Sequence, residues 1–369
     1  MIRKEEIFMK KLYSVGLGFS SNCNMNCPFC YSRAKRNEGR DLSLDVWYDF
    51  FRRNASSIGS VNYGTGENTT SDAWYALIDH IHEHYPHIRQ AVTTNGSLYP
   101  VQKDDSEKRE AIIRSIDEVD VSLDFGEREM HNACRGNSHA FDWVLGTLEF
   151  CQAHDILPTI VTLGTDETLK IENMERIFKI AQQYGAKVRI NLYRPVQKDC
   201  EIRPASLESI LKFFDWADRE HQIVSISDPL FSALLCGDTI APDPSGSSSI
   251  RITQDGSIYP STYLLFEEFL MGNIRDFHLD TDIPGNPGAD RLLHAPIPSA
   301  CKKCPKVFGC RGGVLDRRYL WYKDFKERDP YCFAEHPELF RHYHTHKEAF
   351  ASVHDGYLPT LFFKNDSVK

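Results

Sequence analysis

The feature that most constrains the fold is a regular alternation of short β-like runs with amphipathic helical segments over the first 225 residues. The β-like runs are LYSVGLGF, IGSVNY, IRQAVTT, VDVSLD, PTIVTL and KVRINLY, and several are rich in the residues that pleated surfaces prefer. One of the helical stripes between them is Trp74, Leu77, Ile78 and Ile81. Strands and helices that alternate in this way form right-handed βαβ units and a parallel sheet. The pattern predicts an α/β fold, with a partial (β/α)6 TIM-type barrel over residues 12–225 after an N-terminal extension of residues 1–11.

A different kind of sequence begins near residue 225. The Pro/Gly/Ser-rich stretch DTIAPDPSGSSS precedes IRITQDGSIYP, in which two short β-like runs flank an Asp-Gly turn, as in a hairpin. We interpret residues 226–332 as a second, smaller module. A polar tail of residues 333–369 follows, and we expect it to be helical. Its histidines are expected to lie on a solvated helix face and not to bind a metal; they are His336, His342, His344 and His346.

Composition and charge argue against two classes of function. The chain has 43 basic and 52 acidic residues, a net charge of −9, so a broad basic surface for nucleic acid is not supported. No apolar run approaches the roughly 18 residues that a membrane span needs, and the N-terminal sequence lacks the apolar core of a signal peptide. We therefore expect a cytoplasmic protein. In that reducing compartment, clustered cysteines are better metal ligands than disulfide partners.

Seven of the eleven cysteines fall into two groups. The first group is Cys23, Cys27 and Cys30, and the second is Cys301, Cys304, Cys310 and Cys332. Three thiolates on one loop leave one iron of a four-iron cluster without a protein ligand, and an open position is where a substrate or cofactor binds. Zinc is the alternative for both groups, with a fourth ligand elsewhere for the first and a tetrahedral four-cysteine site for the second.

The spacing of the first group, with Phe29 directly before the third cysteine, resembles the signature of the radical S-adenosylmethionine (SAM) enzymes. The resemblance implies a [4Fe-4S] cluster on these thiols, with SAM bound to the open iron through its amino and carboxylate groups. It also implies that cleavage of SAM yields a 5′-deoxyadenosyl radical, which abstracts a hydrogen atom from the substrate.

Two further segments resemble this family in the expected order. YGTGEN resembles the family's GGE segment, with Thr65 in place of the first glycine and with Gly66 and Glu67 retained, which implies contacts to the SAM amino group. VSLDFGEREMHNACRG resembles the stretch at the fourth strand, which implies that Ser122 and Arg135 contact the SAM ribose and carboxylate. Because the carboxyl ends of parallel strands share one rim, we expect these residues to meet there.

The second module resembles the SPASM extension of radical SAM enzymes that modify ribosomally made peptides and proteins. The resemblance implies one auxiliary [4Fe-4S] cluster, the outer one of that family, on the second cysteine group. The inner auxiliary cluster of the family uses cysteines at positions that are Ser261 and Val314 here. We therefore expect the inner cluster to be absent and Cys236 to be a buried thiol.

These resemblances predict a radical SAM peptide maturase that abstracts hydrogen from a residue of a precursor peptide and installs a crosslink, an epimerised centre or a backbone excision. Because only residues 1–11 precede the first strand, we expect a separate leader-peptide-binding partner protein. That arrangement resembles the spliceases, which excise a tyramine unit. A reductant such as flavodoxin or ferredoxin is also implied. The alternatives are a radical SAM enzyme that acts on a small molecule or nucleotide, and a non-enzymatic iron or zinc scaffold.

Three residues are candidates for the substrate chemistry. Asp124 ends the fourth strand, Tyr63 precedes the Thr65 turn and Arg194 follows the sixth strand, so each is expected to point into the mouth of the barrel. Asp124 would accept a substrate proton if burial raises its pKa. The alternatives are that Asp124 orders a loop, that Tyr63 packs in the barrel and that Arg194 pairs with a carboxylate.

Overall fold

The structure is a computed structural model that describes residues 12–33, 36, 40–196, 200–236, 243–345, 353 and 361–364. The strands are β1 (Tyr13–Leu17), β2 (Ile58–Tyr63), β3 (Arg89–Thr94), β4 (Glu118–Ser122), β5 (Leu157–Gly164), β6 (Lys187–Leu192), β7 (Gln222–Ile226), β8 (Ser249–Ile252), β9 (Ser257–Tyr259), β10 (Gly272–Asn273) and β11 (Leu361–Lys364). The helices of the barrel region are α1 (Leu44–Asn54), α2 (Asp72–His84), α3 (Leu98–Asp104), α4 (Ser106–Ser115), α5 (Arg128–Arg135), α6 (Ala140–Ala153), α7 (Ile171–Gln183) and α8 (Leu207–Glu220). Those of the second module are α9 (Pro229–Leu235), α10 (Leu279–Asp282), α11 (Pro287–Leu293), α12 (Val307–Cys310) and α13 (Leu315–Tyr322).

The first six strands form the predicted parallel sheet. Each of β1 to β5 pairs in parallel with the next strand along the chain. The connecting helices bury their apolar stripes against the sheet, and all four residues of the stripe on α2 are completely buried. The prediction of a partial TIM-type barrel is therefore confirmed. Among the described residues, no helix has the length and apolar character needed to cross a membrane.

The second module continues the same sheet beyond β1. Strands β8 and β9 form the predicted hairpin, and β8 also pairs in parallel with β1. Gly256 lies in the turn with φ of +84°, a conformation that favours glycine, and its N–H donates to the carbonyl of Thr253 at 2.8 Å. The hairpin thus brings the second module to the strand that precedes the first cysteine group.

The prediction of a helical tail over residues 333–369 is wrong for the part that the structure describes. Pro337–Leu339 form one 3-10 turn, and β11 lies between β6 and β7 and pairs antiparallel with both. Proline disfavours helical geometry in the residue before it, and the aromatic sequence of β11 favours a strand. The tail therefore completes the barrel sheet.

Parts of two predictions lie outside the described residues, namely the extension 1–11 and His346. His342 and His344 are exposed as predicted, although not on a helix. His336 is also exposed, and its Nδ1 lies 3.1 Å from a carboxylate oxygen of Glu338.

A buried arginine of α13 holds the second module together. Arg317 is completely buried; its Nη1 lies 2.8 Å from Asp228 Oδ2, and its Nη2 lies 2.6 Å from Asp329 Oδ2. Asp228 also caps the first turn of α9. Asp329 accepts the N–H groups of Val314 at 2.9 Å and Tyr331 at 3.0 Å. One guanidinium therefore joins α9, α13 and the segment that leads to the last cysteine of the second group.

The carboxyl end of β4 is held by a buried histidine of α5. The Nδ1 of His131 accepts the N–H of Asp124 at 3.2 Å. Burial, together with the nearby Arg135 cation, lowers the pKa of His131 from 6.5 to about 4. The neutral imidazole is therefore the form that the fold accommodates.

We expect Arg317→Leu to lower the free energy of unfolding by roughly 3–5 kcal/mol, because two buried carboxylates lose their cation. The control Arg328→Leu breaks an exposed pair with Glu335 and should have a much smaller effect. Urea denaturation of the anaerobically reconstituted protein, followed by circular dichroism, compares the two variants. An equal loss of unfolding free energy in the two variants would contradict this role of Arg317.

A pH dependence follows from His131. Its pKa is lower in the folded than in the unfolded chain, so protons bind preferentially to the unfolded chain and stability falls as the pH drops below about 6.5. The full pKa shift corresponds to a change of roughly 3 kcal/mol in the free energy of unfolding. In His131→Asn, an amide oxygen can accept the same N–H, and we expect a smaller loss of thermal stability between pH 7.5 and pH 5. Parallel losses of melting temperature in the two proteins would disprove this explanation.

Candidate active site

The first cysteine group lies at the rim formed by the carboxyl ends of the strands. Cys23, Cys27 and Cys30 line one cavity there. Burial raises the pKa values of Cys23 and Cys27. The thiol of Cys27 raises the pKa of Cys23 further, and the thiol of Cys30 raises the pKa of Cys27 further. The three thiols therefore lie on one loop and face one cavity.

Each of these thiols has an N–H donor within 4.0 Å. Asn95 Nδ2 lies 3.9 Å from Cys23 Sγ, and Arg135 Nη1 lies 3.9 Å from Cys27 Sγ. The third donor, Arg36 Nη2, lies 4.0 Å from Cys30 Sγ. Donors at these positions stabilise thiolate sulfur and tune the potential of a bound cluster. Soft thiolates surrounded by N–H donors fit an iron–sulfur cluster.

The sequence did not single out Asn95 and Arg36 for this role. Asn95 is 72 residues from its cysteine, in the loop after β3. That loop follows the third strand, so it reaches the rim at which the cysteines lie. This placement was the one feature of the sequence that could have pointed to Asn95. Neither residue belongs to a motif with a defined spacing from the cysteines.

A buried carboxylate fixes the loop after β2. Glu67 is 1% exposed and accepts three hydrogen bonds, from Thr69 Oγ1 at 2.6 Å, Thr94 Oγ1 at 2.9 Å and the N–H of Asn95 at 2.7 Å. Burial raises the pKa of Glu67, whereas these hydrogen bonds lower it. The side chain of Glu67 thus joins the loops after β2 and β3.

The backbone beside Glu67 joins the same loop to the cysteine segment. The N–H of Glu67 donates to the carbonyl of Asn22 at 2.7 Å. Gly66 has φ of +69°, and a Cβ there would lie 2.4 Å from the Asn22 oxygen and 2.5 Å from the Ser20 oxygen. Only glycine fits at this position. Gly66 lines the cavity, whereas the side chain of Thr65 is buried and accepts a hydrogen bond from Arg251.

The loop after β4 and the end of α5 bring a charged pair to the cavity. Arg135 Nη2 lies 2.7 Å from Asp124 Oδ2, and the guanidinium lies over the Phe29 ring, 5.2 Å from its centre. Asp124 Oδ1 accepts the N–H of Leu163 at 3.0 Å. Ser122 lines the same cavity. Both carboxylate oxygens of Asp124 therefore have partners, which favours the alternative that Asp124 orders the loop and holds Arg135.

The prediction that Tyr63 points into the mouth of the barrel is wrong. Its neighbours Asn62 and Gly64 line the cavity, and side chains alternate along a strand, so Tyr63 faces the other way. The completely buried ring packs on Trp74 with ring centres 5.6 Å apart, and the hydroxyl donates to Gln90 Oε1 at 2.7 Å. Tyr63 is a core residue.

Arg194 also does not line the cavity. Its Nε lies 3.2 Å from Asp316 Oδ1, and its Nη1 donates to the carbonyl of Leu192 at 2.7 Å. The guanidinium lies 5.3 Å from the centre of the Tyr263 ring. Arg194 therefore ties the end of β6 to the second module, which agrees with the alternative of a carboxylate pair.

The second cysteine group forms another set of neighbouring thiols. Burial raises the pKa of Cys301, and the thiols of Cys332 and Cys304 raise it further. Burial, with a contribution from Cys332, raises the pKa of Cys310 to about 12. Within the described part of the chain, no three Cys, His, Asp or Glu side chains form a group suited to a single metal ion.

The two positions without cysteine have packing roles. Val314 is completely buried and donates its N–H to Asp329, while the hydroxyl of Ser261 accepts the N–H of Tyr263 at 3.3 Å. Cys236 is a buried thiol, as predicted, and burial raises its pKa to about 12.

Known proteins resemble this chain over both modules. The mycofactocin maturase MftC of Mycobacterium tuberculosis is 23% identical over 327 residues, which cover 86% of this chain and 81% of that protein. The cysteine-type anaerobic sulfatase-maturating enzyme of Clostridium perfringens is 22% identical, with coverage of 88% and 94%. Each alignment is long enough to reach beyond the barrel.

The fold is also similar to that of a solved structure. Streptococcus suis SuiB, bound to its precursor peptide SuiA, superposes with a TM-score of 0.69 at 16% identity, covering 88% of this chain and 76% of SuiB. Residues 17–183 match the model of the Radical SAM superfamily. That domain implies SAM and a [4Fe-4S] cluster, and the first cysteine group lies within the matched range. The chain therefore carries a radical SAM domain and is a radical SAM enzyme.

Proposed function

We propose that this enzyme is a peptide maturase, which abstracts hydrogen from a residue of a ribosomally synthesised precursor peptide. The observation that carries the proposal is the similarity over both modules to proteins named as maturases, together with a fold similar to that of SuiB bound to a precursor peptide. The contribution of the second module to the cavity supports it further, since Arg251, Thr262 and Tyr263 line the same space as the three thiols.

The residues nearest the cysteines have the chemistry to hold SAM. When bound, SAM and its [4Fe-4S] cluster supply the radical that removes hydrogen from the substrate. We assign the SAM carboxylate to Arg135, whose donors suit it, and the ribose to Ser122. The backbone of the loop from Thr65 to Glu67 would bind the SAM amino group, while the Glu67 side chain keeps that loop in place.

Asp124 has a supporting role in this scheme. Its contact with Arg135 holds the guanidinium at the cavity wall, beside Cys27. The other carboxylate oxygen accepts the N–H of Leu163, so both oxygens of Asp124 are engaged in holding this part of the cavity wall. We therefore assign Asp124 to the orientation of SAM and leave proton transfer to other groups.

The second cysteine group would hold one auxiliary [4Fe-4S] cluster. Its four thiols are soft ligands that interact with one another, and Arg317 with Asp329 orders the segments around them. Ser261 and Val314 leave the inner site of the family without two of its ligands.

The partners of this enzyme follow from the same proposal. We expect a precursor peptide, a separate small protein that binds its leader, and a flavodoxin or ferredoxin as reductant in the cytoplasm. Backbone excision of the splicease type is the narrowest form of the proposed activity.

We expect about eight iron atoms per chain after anaerobic reconstitution, corresponding to two four-iron clusters. Changing Cys23, Cys27 and Cys30 together to Ala should leave about four irons and abolish 5′-deoxyadenosine release under dithionite. Changing Cys301, Cys304 and Cys310 to Ala should also leave about four irons but retain uncoupled SAM cleavage. About twelve irons would disprove the absence of the inner cluster, and bound zinc without iron would disprove the radical chemistry.

The peptide substrate is tested by coexpression with any short peptide that is encoded beside the gene, with and without any small neighbouring leader-binding protein. We expect a change in the peptide mass that requires the first cysteine group, because hydrogen abstraction begins there. Mass spectrometry compares the wild type with the variant that lacks these three cysteines. An unchanged peptide, combined with 5′-deoxyadenosine release that a small molecule or nucleotide stimulates, would overturn the proposal.

A further inference from the structure

An exposed phenylalanine lies beside the second cysteine group. Phe308 of α12 is 95% exposed, whereas the next most exposed large apolar side chain of the described residues, Leu12, is 49% exposed. Phe308 lines a surface depression together with Leu293 of α11, which is 38% exposed, and with Cys310. Exposed apolar side chains that lie together with charged groups around them mark interaction surfaces. The charges around Phe308 therefore decide what this surface can bind.

The segment that carries Phe308 is strongly basic. No acidic residue occurs between Asp290 and Asp316, although the whole chain has a net charge of −9. Within the described part of the chain, none of the cations nearest Phe308 in sequence forms an ion pair, and all of them are exposed or partly exposed. One of them, Arg311, lines the same depression as Phe308. These cations are Lys302, Lys303, Lys306 and Arg311.

The one carboxylate of the depression does not neutralise them. Asp243 lines the depression, but its Oδ1 accepts the N–H of Ser245 at 3.0 Å and its Oδ2 accepts the N–H of Leu315 at 3.3 Å. Both oxygens of Asp243 are therefore engaged by the backbone. The cations remain available to a negatively charged partner.

The same segment carries three thiols of the second cysteine group. The N–H of Cys304 donates to the carbonyl of Cys301 at 3.0 Å, and the N–H of Cys310 donates to the carbonyl of Lys306 at 3.0 Å. These turns keep the lysines beside the cysteines. Since Cys310 also lines the depression, a cluster on these thiols would lie next to the exposed ring of Phe308.

This surface is separate from the active site. The depression and the active-site cavity have no lining residue in common. An aromatic side chain at the centre with charged groups at the rim is the usual arrangement of a protein interface. Encounters between redox proteins bury little surface, so a compact patch of this kind is sufficient for one.

We propose that an acidic one-electron carrier protein docks on this surface, which we call the Phe308 patch. Flavodoxins and ferredoxins, the reductants proposed for this enzyme, belong to that class. Complementary charge accelerates the encounter of two proteins, and the patch would bring the carrier to the thiols of the second group. The inference rests on the proposed auxiliary cluster. The patch consists of Leu293, Lys302, Lys303, Lys306, Phe308 and Arg311.

The test measures the binding of a labelled, oxidised flavodoxin of net negative charge to the anaerobically reconstituted enzyme. Fluorescence anisotropy gives the Kd, which we expect to rise about tenfold between about 0.02 M and about 0.2 M salt because the charges are screened. A carbodiimide then couples lysine amines directly to carboxylates in the complex. We expect the coupled lysines, identified by mass spectrometry, to be Lys302, Lys303 or Lys306.

Two variants examine the rim and the centre of the patch. Lys302→Glu combined with Lys303→Glu should weaken binding about tenfold at low salt, and the loss should shrink at high salt. Phe308→Ser should weaken binding about tenfold at both salt concentrations, because an aromatic contact is not screened. Both changes are at exposed side chains, so the fold does not depend on them.

Two matched controls exclude general effects of charge and polarity. Lys103→Glu combined with Lys179→Glu makes the same change in net charge at exposed positions of α3 and α7. Leu270→Ser removes another apolar side chain of the second module, one that is 43% exposed. Both control proteins should bind the flavodoxin as the wild type does.

The outcomes separate this inference from the proposed function. Coupling at other lysines, binding that survives Lys302→Glu with Lys303→Glu, or equally tight binding of polyglutamate would overturn the docking of a redox carrier. Coupling of these lysines to carboxylates of the enzyme itself, unchanged by flavodoxin, would show that the chain covers its own patch and would also overturn it. Iron analysis of the same samples tests the auxiliary cluster independently. About eight irons without docking would overturn the Phe308 patch alone, whereas about four irons with docking intact would overturn the auxiliary cluster and leave the patch in place.

Discussion

The buried carboxylate of Glu67 is the interaction on which the rest of the site depends. Its three donors come from the loop after β2, from the last residue of β3 and from the loop that follows it, while its own N–H donates to the segment that carries the cysteines. A buried carboxylate without partners is strongly unfavourable, so these loops are stable only in the arrangement that satisfies it. The same arrangement brings the side chain of Asn95 to the sulfur of Cys23. The hydrogen bonds of Glu67 therefore also determine which donors surround the thiols.

The second module shares the active site because it shares the sheet. Strand β8 pairs with β1, and Arg251, Thr262 and Tyr263 reach the cavity from the hairpin and the residues after it. Arg194 adds a buried contact in the opposite direction, from β6 to Asp316 on α13. An independent domain on a linker would not line the cavity in this way. The cavity and the module that carries the second cysteine group are therefore joined through one continuous sheet.

Sequence reasoning was most successful where a local pattern determines the structure. Six strands, the hairpin and the position of Cys23, Cys27 and Cys30 on the rim all follow from periodicity and from the geometry of parallel sheets. It failed for Tyr63, because the face to which a side chain points depends on its place along the strand. It also failed for Arg194, because the position of this side chain depends on a partner from a distant part of the chain. The strand β11 could not be predicted from the tail alone, because its partners β6 and β7 come from remote parts of the chain.

The register between β1 and β8 determines which side chains of β8 face the cavity. Gly16 of β1 lies opposite Arg251, with Leu17 opposite Ile252. Because side chains alternate along a strand, a slip of one residue would turn Arg251 away from the cavity and present Ile250 or Ile252 instead. Two isoleucines that are now buried in the core would then face a polar space, at a large cost in hydrophobic free energy. The apolar core therefore fixes the register, and the register fixes the charge that faces the cavity.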